Sequence, residues 1–224
     1  HHPSGGNGGC GPLMWLLLPF MACFAAAVAL AAPEGHISDQ QIAGSTYLAT
    51  LSAYGFFDGA ANRPSGQLIP YQLRTPLFSD YAEKQRFIYI PEGARLSADK
   101  TGKLDFPVGA ALIKSFGYPD KDGGLRILET RVLLHQQDGW VALPYIWRDD
   151  GRDADLRVGG KRIAIDVELQ GNPTVISYAV PNKNQCKQCH SSDGGIVPIG
   201  PIWQNMEFPR QGDRKKLLQW LTEL

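Results

Sequence analysis

The sequence has few residues of the kinds that cross-link chains or bind soft metals. It holds 4 cysteines and 3 methionines among 224 residues, too few for the dense disulfide framework of a small secreted domain. Neither sign of charge is in excess, because 22 Lys and Arg balance 22 Asp and Glu. Without a basic excess there is no support for a nucleic-acid partner, and without an acidic excess there is none for a disordered chain. The composition predicts a globular protein.

Long apolar runs are also rare, and the one present lies near the N-terminus. No residue from Leu13 to Ala32 is charged, and Ala29-Leu30-Ala31 matches the small-residue pattern of a cleavage site. We therefore expect residues 1–31 to be a signal peptide and the mature protein to be periplasmic or exported in the cell envelope. Two membrane attachments stay open: an uncleaved span, since about 20 apolar residues can cross a bilayer, and a lipid anchor at Cys23.

Only two cysteines follow the predicted signal peptide, and they form a C-x-x-C-H motif. The motif is Cys186-Lys187-Gln188-Cys189-His190. In an exported protein this spacing is typical of haem c attachment, because each thiol can add to a haem vinyl group. The adjacent imidazole then becomes the proximal ligand of the iron. We therefore predict covalent haem c on Cys186 and Cys189, with His190 bound to iron.

Other chemistries can use the same cysteines. A thioredoxin-like dithiol would lie between a strand and a helix, but residues 181–184 and 191–195 are typical of loops. A zinc site needs a fourth ligand, and the sequence has neither a second Cys pair nor an H-x₃₋₅-H pattern. A metal or dithiol site and an inert pair of thiols remain alternatives to haem.

The rest of the chain divides into three segments by composition. Residues 32–64 form a helical lead-in, with a capping box at Ser38 and apolar residues at near-helical spacing up to Gly55. Residues 65–182 form a β-rich module, with a hairpin turn at residues 137–139. Its predicted strands are Arg86–Pro91, Ala111–Phe116, Arg126–Leu134, Trp140–Leu143, Ile163–Val167 and Thr174–Tyr178.

The third segment, residues 183–224, is predicted to be the haem-binding part. We expect a loop from Asn184 onward, followed by a helix over Arg214–Leu224 with Asp213 as its cap. The predicted fold class is α+β, a mostly antiparallel β module followed by a small helical cytochrome c-like haem-binding segment.

Three stretches resemble a bacterial family of diheme c-type cytochromes of largely unknown role. They are Tyr71–Ala82, Trp147–Asp150 and Tyr178–His190. The resemblance covers most of the chain from about Leu51 and implies that Cys186, Cys189 and His190 hold the first haem. The family pattern has a second C-x-x-C-H, and this chain has none. The sequence is therefore expected to be either a truncated member or a single-haem variant.

A short stretch after the motif resembles part of the class I cytochromes c. Ile199-Gly200-Pro201 is similar to their Gly-Pro, whose proline carbonyl accepts a hydrogen bond from the proximal imidazole and raises its basicity. The resemblance implies that Pro201 contributes to the cofactor site. An ordinary turn is the alternative.

The sixth iron ligand is less well defined by the sequence. Met206 is the only methionine after the signal peptide, and it follows His190 by sixteen residues. It is a candidate ligand or a residue of the haem wall. His135, His36, a ligand beyond Leu224 and an open position are the alternatives.

The predicted function is one-electron transfer by an exported cytochrome with an unidentified redox partner protein. No catalytic residue is predicted. One alternative is a haem enzyme that acts on a small oxidant such as peroxide, which needs an open iron position. The other is a non-haem binding module whose thiols are free or bind a metal.

Overall fold

The computed structural model describes residues 36–169, 171–192 and 194–221, which belong to one compact unit. The predicted signal peptide lies outside these residues. No helix in the described part is long and apolar enough to cross a membrane.

Most of the regular structure is antiparallel β. The strands of the described part are β1 Ile69–Pro70, β2 Gln72–Leu73, β3 Glu83–Tyr89, β4 Ser97–Ala98, β5 Leu104–Asp105, β6 Ala111–Pro119, β7 Leu125–Gln136, β8 Gly139–Trp147, β9 Ala154–Leu156, β10 Lys161–Leu169, β11 Asn172–Val180, β12 Ser191–Ser192, β13 Gly195–Ile196 and β14 Met206–Glu207. The α-helices are short: α1 Asp39–Ala43, α2 Lys183–His190 and α3 Gln211–Leu218. Two 3₁₀ turns lie at Ser52–Tyr54 and Trp203–Asn205.

A six-stranded sheet forms the centre of the fold, in the order β1-β3-β6-β7-β8-β9. All its pairings are antiparallel. The predicted strands at positions 86–91, 111–116, 126–134 and 140–143 are confirmed within it, and the predicted hairpin joins β7 to β8. The other two predicted strands form β10 and β11, which pair as a separate ribbon. In all these segments, the period-2 pattern of branched and aromatic residues favours a β-strand.

Side chains alternate between the two faces of this sheet, and the faces differ in chemistry. On one, the neutral face, Ser115 pairs with Thr130 in register and Trp147 packs nearby. On the other, the charged face, Arg86, Lys114 and Arg131 lie opposite one another on β3, β6 and β7. Since directly opposed residues of antiparallel strands project to the same side, these three cations form one row.

A β-bulge changes the alternation next to this row. The β6–β7 register shifts between Phe116 and Gly117, so that Leu128 is an additional residue on β7. The side chains of the consecutive residues Leu128 and Glu129 therefore both lie on the charged face. A side chain at position 117 would bring a Cβ within 2.5 Å of the Arg126 carbonyl oxygen, so the bulge requires glycine.

The β10–β11 ribbon packs on one end of the charged face. Ile165, Tyr178 and Val180 are buried there against Phe116 and Ile146. The opposite side of the ribbon is exposed and mixed in chemistry, with Arg162, Asp166 and Glu168 on β10 facing Ala179, Val175 and Pro173 on β11. One face of each ribbon strand is therefore apolar, which gives the period-2 burial pattern of a two-stranded sheet on a core.

The fold-class prediction is wrong about the C-terminal segment, because no small helical cytochrome c-like unit forms within the described residues. β14 pairs with β2, and isolated bridges join Ile202 to Lys103 and Leu221 to Leu96. Met206 and Leu217 are buried in a cluster with strand residues. A segment with two eight-residue helices has too little apolar surface for a core of its own, so it packs on the β strands.

Two helix predictions need correction in their extent. Ser38 caps α1 through its side chain as predicted, but the helix ends at Ala43, and Gly44 is extended. Leu51 and Tyr54 are buried because they pack on the sheet. At the other end, α3 begins at Gln211, and Asp213 is a buried residue inside its first turn that accepts a hydrogen bond from Arg210.

Candidate cofactor-attachment site

The C-x-x-C-H motif lies on α2, where the sequence predicted a loop. Asn182 caps the helix: its Oδ1 accepts a hydrogen bond from the Gln185 backbone N at 2.9 Å, and Gln185 Oε1 accepts one from the Asn182 N at 2.8 Å. This is a complete capping box, which satisfies two N-terminal backbone donors. Lys183 Nζ also donates to the Tyr47 hydroxyl at 2.7 Å and fixes the start of the helix.

The helix brings the three motif side chains to one side. Positions 186, 189 and 190 are related by i, i+3 and i+4 spacing, which places them on one helix face. Cys186 is buried, Cys189 is exposed and His190 is half-buried. Both thiols are free. The face therefore presents one accessible thiol, one thiol against the protein and an imidazole between protein and solvent.

The imidazole of His190 is held by the segment that follows it. Its Nδ1 lies 3.0 Å from the Val197 carbonyl oxygen, and the Val197 N donates to the His190 carbonyl oxygen at 2.7 Å. A carbonyl oxygen can only accept, so Nδ1 carries the proton and Nε2 keeps its lone pair. The β12–β13 hairpin returns the chain to make this contact.

Burial keeps this ring neutral. It lowers the pKa of His190 below its ordinary value; the hydrogen bond with Val197 opposes the shift, and the nearby cations Lys114 and Arg131 add to it. At neutral pH the ring is thus an uncharged imidazole with a free Nε2, the form that binds a metal ion.

The Cys186 thiol is held in its protonated form. Burial raises its pKa above the ordinary cysteine value, against the opposing effect of Arg131. Its Sγ donates to the Asn182 carbonyl oxygen at 3.6 Å. A reactive dithiol of the thioredoxin kind needs a cysteine with a lowered pKa, and Cys186 is shifted in the other direction.

A buried charged network lies on the sheet beneath α2. Glu129 is 0% exposed and accepts hydrogen bonds from Arg131 Nε at 2.7 Å, Arg131 Nη2 at 2.9 Å and the Tyr178 hydroxyl at 2.7 Å. Arg131 also stacks over the Phe116 ring, 4.2 Å from its centroid. α2 and β13 both pack against the neighbouring strand β8. The β10–β11 ribbon covers part of the charged face and α2 follows it directly, so the motif lies on that side of the sheet.

The chemistry of haem fits these residues. Haem brings four nitrogen ligands of its own, so the protein must supply only thiols for attachment and an axial group. Cys186, Cys189 and His190 can supply these from one helix face. A structural zinc ion would need four protein ligands, and no group of three or more His, Cys, Asp or Glu side chains in the described part of the chain could hold a metal ion.

Two further residues predicted from the sequence, Pro201 and Met206, make other contacts. Pro201 is buried, but the carbonyl that meets Nδ1 belongs to Val197. Met206 is 5% exposed in β14 and packs in the apolar cluster with Ile69, Ile88 and other strand residues. Its thioether thus fills core space.

The two alternative histidines lie in other surroundings. His135 Nδ1 is 2.8 Å from the Phe106 carbonyl oxygen, and the ring stacks on Trp140 at 4.5 Å between centroids. His36 is exposed at the start of the described residues.

Sequence reasoning missed the residues around the motif. Glu129 and Arg131 are two residues apart on a predicted strand, a spacing that places both on one face. This spacing could have identified the pair from the sequence. The contact of His190 with Val197 could not have been predicted, because it depends on a hairpin of two-residue strands.

Comparison with family models, with curated proteins and with solved structures finds no match for this chain.

Proposed function

We propose that this protein is an exported c-type cytochrome that carries one covalent haem and transfers electrons in the cell envelope. Cys186 and Cys189 form the two thioether bonds, and His190 is the proximal ligand. The observation that carries the proposal is the single helix face with both thiols and an imidazole whose Nδ1 is bound to a carbonyl, leaving Nε2 free. The C-x-x-C-H spacing itself supports the same function.

When bound, haem supplies a reversible one-electron couple. The protein holds in place the side chains that would bind the haem. The hydrogen bond to Val197 fixes the tautomer and the orientation of His190, and such a partner makes the imidazole a stronger ligand. Burial keeps the ring unprotonated at neutral pH. The capping box at Asn182 orders the helix, so both thiols keep a constant separation.

The test is a pyridine haemochrome spectrum of protein exported together with cytochrome c maturation factors. We expect a c-type spectrum at one haem per chain in the wild type and none in the Cys186→Ala/Cys189→Ala variant. Gln188→Ala is the matched control, since Gln188 is exposed on the same helix between the cysteines and its variant should keep the haem. A wild-type protein without covalent haem overturns the proposal.

One observation favours a second candidate, a haem enzyme acting on a small oxidant such as peroxide. The thioether of Met206 packs in the core cluster, and an enzyme of this kind needs the sixth iron position open. The spectrum of the ferric protein separates the two functions. A six-coordinate low-spin spectrum supports the electron carrier, and a high-spin spectrum that changes on addition of peroxide supports the enzyme.

A further inference from the structure

The cation row on the charged face has more positive charge than the protein neutralises. Among the described residues, Arg86, Lys114 and Arg131 face a single carboxylate, Glu129, which is bound to Arg131. Lys84 extends the positive region on β3, two residues before Arg86. It adds to the lowering of the pKa of Lys114, which burial first and then Arg86 and Arg131 bring down to about 8.

Arg86 is the least compensated member of the row. It is only 6% exposed, yet in the described residues its guanidinium is within 4 Å of no carboxylate and donates no hydrogen bond. Its electrostatic neighbour is the Tyr71 phenol, which stays neutral because burial raises its pKa to about 12. A buried charge without a partner is costly unless a ligand neutralises it.

The guanidinium is nevertheless not completely enclosed by the protein. In the described part of the chain, Gln85 Oε1 is the one fully enclosed side-chain nitrogen or oxygen atom that lacks a hydrogen-bond partner. The nitrogen atoms of Arg86 are therefore not sealed from the surroundings. An anion could reach them and accept hydrogen bonds from the planar fork.

The row lies beside the proposed attachment site. Lys114 and Arg131 face each other on β6 and β7, β8 pairs with β7, and α2 packs on β8. A group attached to Cys186 and Cys189 would therefore lie near these cations. The part of an attached ligand that extends from α2 towards the row should therefore carry negative charge.

An apolar loop lies on the other side of the row. Leu77, Phe78 and Tyr81 are exposed by 69%, 70% and 63%, although their side chains are apolar or aromatic. Lys84 Nζ donates to the Leu77 carbonyl oxygen at 2.5 Å, which joins the loop to the row. The surroundings thus suit a ligand with a large apolar body and anionic groups.

We propose that Arg86 and Lys114 bind the propionate carboxylates of the haem held on α2. The proposal rests on the proposed function and identifies residues of this chain that neutralise the cofactor. The shared chemistry is that of an oxyanion, so a free phosphate or carboxylate from solution is the competing source of the ligand.

The first experiment titrates inorganic phosphate into two forms of the protein, and calorimetry reports binding. The haem-free form is the Cys186→Ala/Cys189→Ala variant, and the other form carries covalent haem. We expect phosphate to bind the haem-free form and to bind the haem-loaded form at least about tenfold more weakly, because propionates occupy the row. Equal binding to both forms overturns the propionate assignment in favour of a free anion.

The second experiment changes the cations. Arg86→Gln and Lys114→Gln should each weaken phosphate binding to the haem-free form by about tenfold, since a charge-assisted hydrogen bond contributes about that factor. In the haem-loaded form each variant should lower the reduction potential, because a positive charge near the haem favours the ferrous state. Arg126→Gln is the matched control: it removes one positive charge from an exposed residue of β7 paired with Asp149, and neither measurement should change.

Lys114 is less buried than Arg86, so Lys114→Gln keeps the test decisive if Arg86→Gln fails to fold. Phosphate affinity and reduction potential equal to those of the control variant overturn the assignment, even when haem is attached normally. A failure of the proposed function is a different result: the wild-type protein then lacks covalent haem before any phosphate is added.

Discussion

The two faces of the central sheet solve the burial of polar groups in different ways. On the neutral face, Ser115 and Thr130 lie 2.8 Å apart through their hydroxyl oxygens, and Trp147 Nε1 donates to Thr130 at 2.8 Å. This network closes within the protein. On the charged face, Glu129 neutralises Arg131, but Arg86 has no such partner in the described residues. In the described part of the chain, the same strands thus build a neutral face with one unsatisfied oxygen, Gln85 Oε1 opposite Ser115, and a charged face with one unpaired guanidinium, Arg86.

The largest effect should come from removing Glu129, the carboxylate of the charged network. Glu129→Gln leaves the half-buried Arg131 without a counter-charge beside other cations, which should lower the free energy of unfolding by about 3 kcal/mol, the lower end of the range for a fully buried pair. Urea denaturation measures the loss. Glu168→Gln on the exposed side of the ribbon is the control and should change stability by less than about 0.5 kcal/mol. A similar result for both variants would contradict the assignment of a buried network.

A smaller loss is expected on the neutral face. Thr130→Val keeps the shape of the side chain but leaves the Trp147 N–H buried without an acceptor, at a cost of about 1–3 kcal/mol. Thermal and urea denaturation measure it. Thr174→Val, on the ribbon, makes the same chemical change at a site with one long hydrogen bond to the Asn172 carbonyl oxygen at 3.2 Å. The two variants should differ by at least about 1 kcal/mol; equal losses would mean that the Thr130 network contributes little.

Removal of a buried cation without a partner should increase the stability of the fold. In the haem-free Cys186→Ala/Cys189→Ala background, Arg86→Met removes an uncompensated buried charge and should stabilise the fold by about 1 kcal/mol. The melting temperature reports the change. With Arg126→Met, which loses only an exposed ion pair, the melting temperature should stay nearly constant. Destabilisation by Arg86→Met would show that the face is already balanced without a ligand.

Stability should also depend on pH. The pKa of Lys114 is lowered to about 8, first by burial and then by Arg86, Arg131 and Lys84, with Glu129 acting against them. An unfolded lysine titrates near 10.4. Between these values the unfolded chain binds more protons, so the free energy of unfolding should rise with pH.

Urea midpoints of the haem-free form at pH 7.5 to 9.5, on the rising part of about 8 to 10.4, test this dependence. Lys114→Met removes the titrating group, and its midpoint should rise less over the same range. Parallel curves for the two proteins would contradict the lowered pKa.

The β structure was predictable because its signal is local. Alternation over Arg126–Leu134 and the turn at Asp138-Gly139 define β7 and β8 without tertiary information. The signal failed where tertiary packing decides. Leu51 and Tyr54 have helical spacing, yet they are buried against the sheet, and Gly44 ends α1 early.

The candidate site likewise has residues that the sequence could identify and residues that depend on tertiary structure. The motif residues Cys186, Cys189 and His190 could be named from their spacing alone, and their role remains a prediction. Their surroundings could not be named, since Val197 reaches His190 through a hairpin and Arg86 meets Lys114 through strand register. The predicted helical C-terminal unit was wrong because Met206 and Leu217 complete a core that the strands begin.

The cysteine helix starts directly after the β10–β11 ribbon, and this connection has a consequence for local unfolding. β11 ends at Val180 and α2 begins at Lys183, while Tyr178 anchors the ribbon through Glu129. Release of that anchor would lift ribbon and helix together while the central sheet stays paired. Their amide protons should therefore exchange with solvent as one cooperative unit, at a lower free energy than those of β6 and β7. Such an opening would expose the Cys186 thiol without global unfolding.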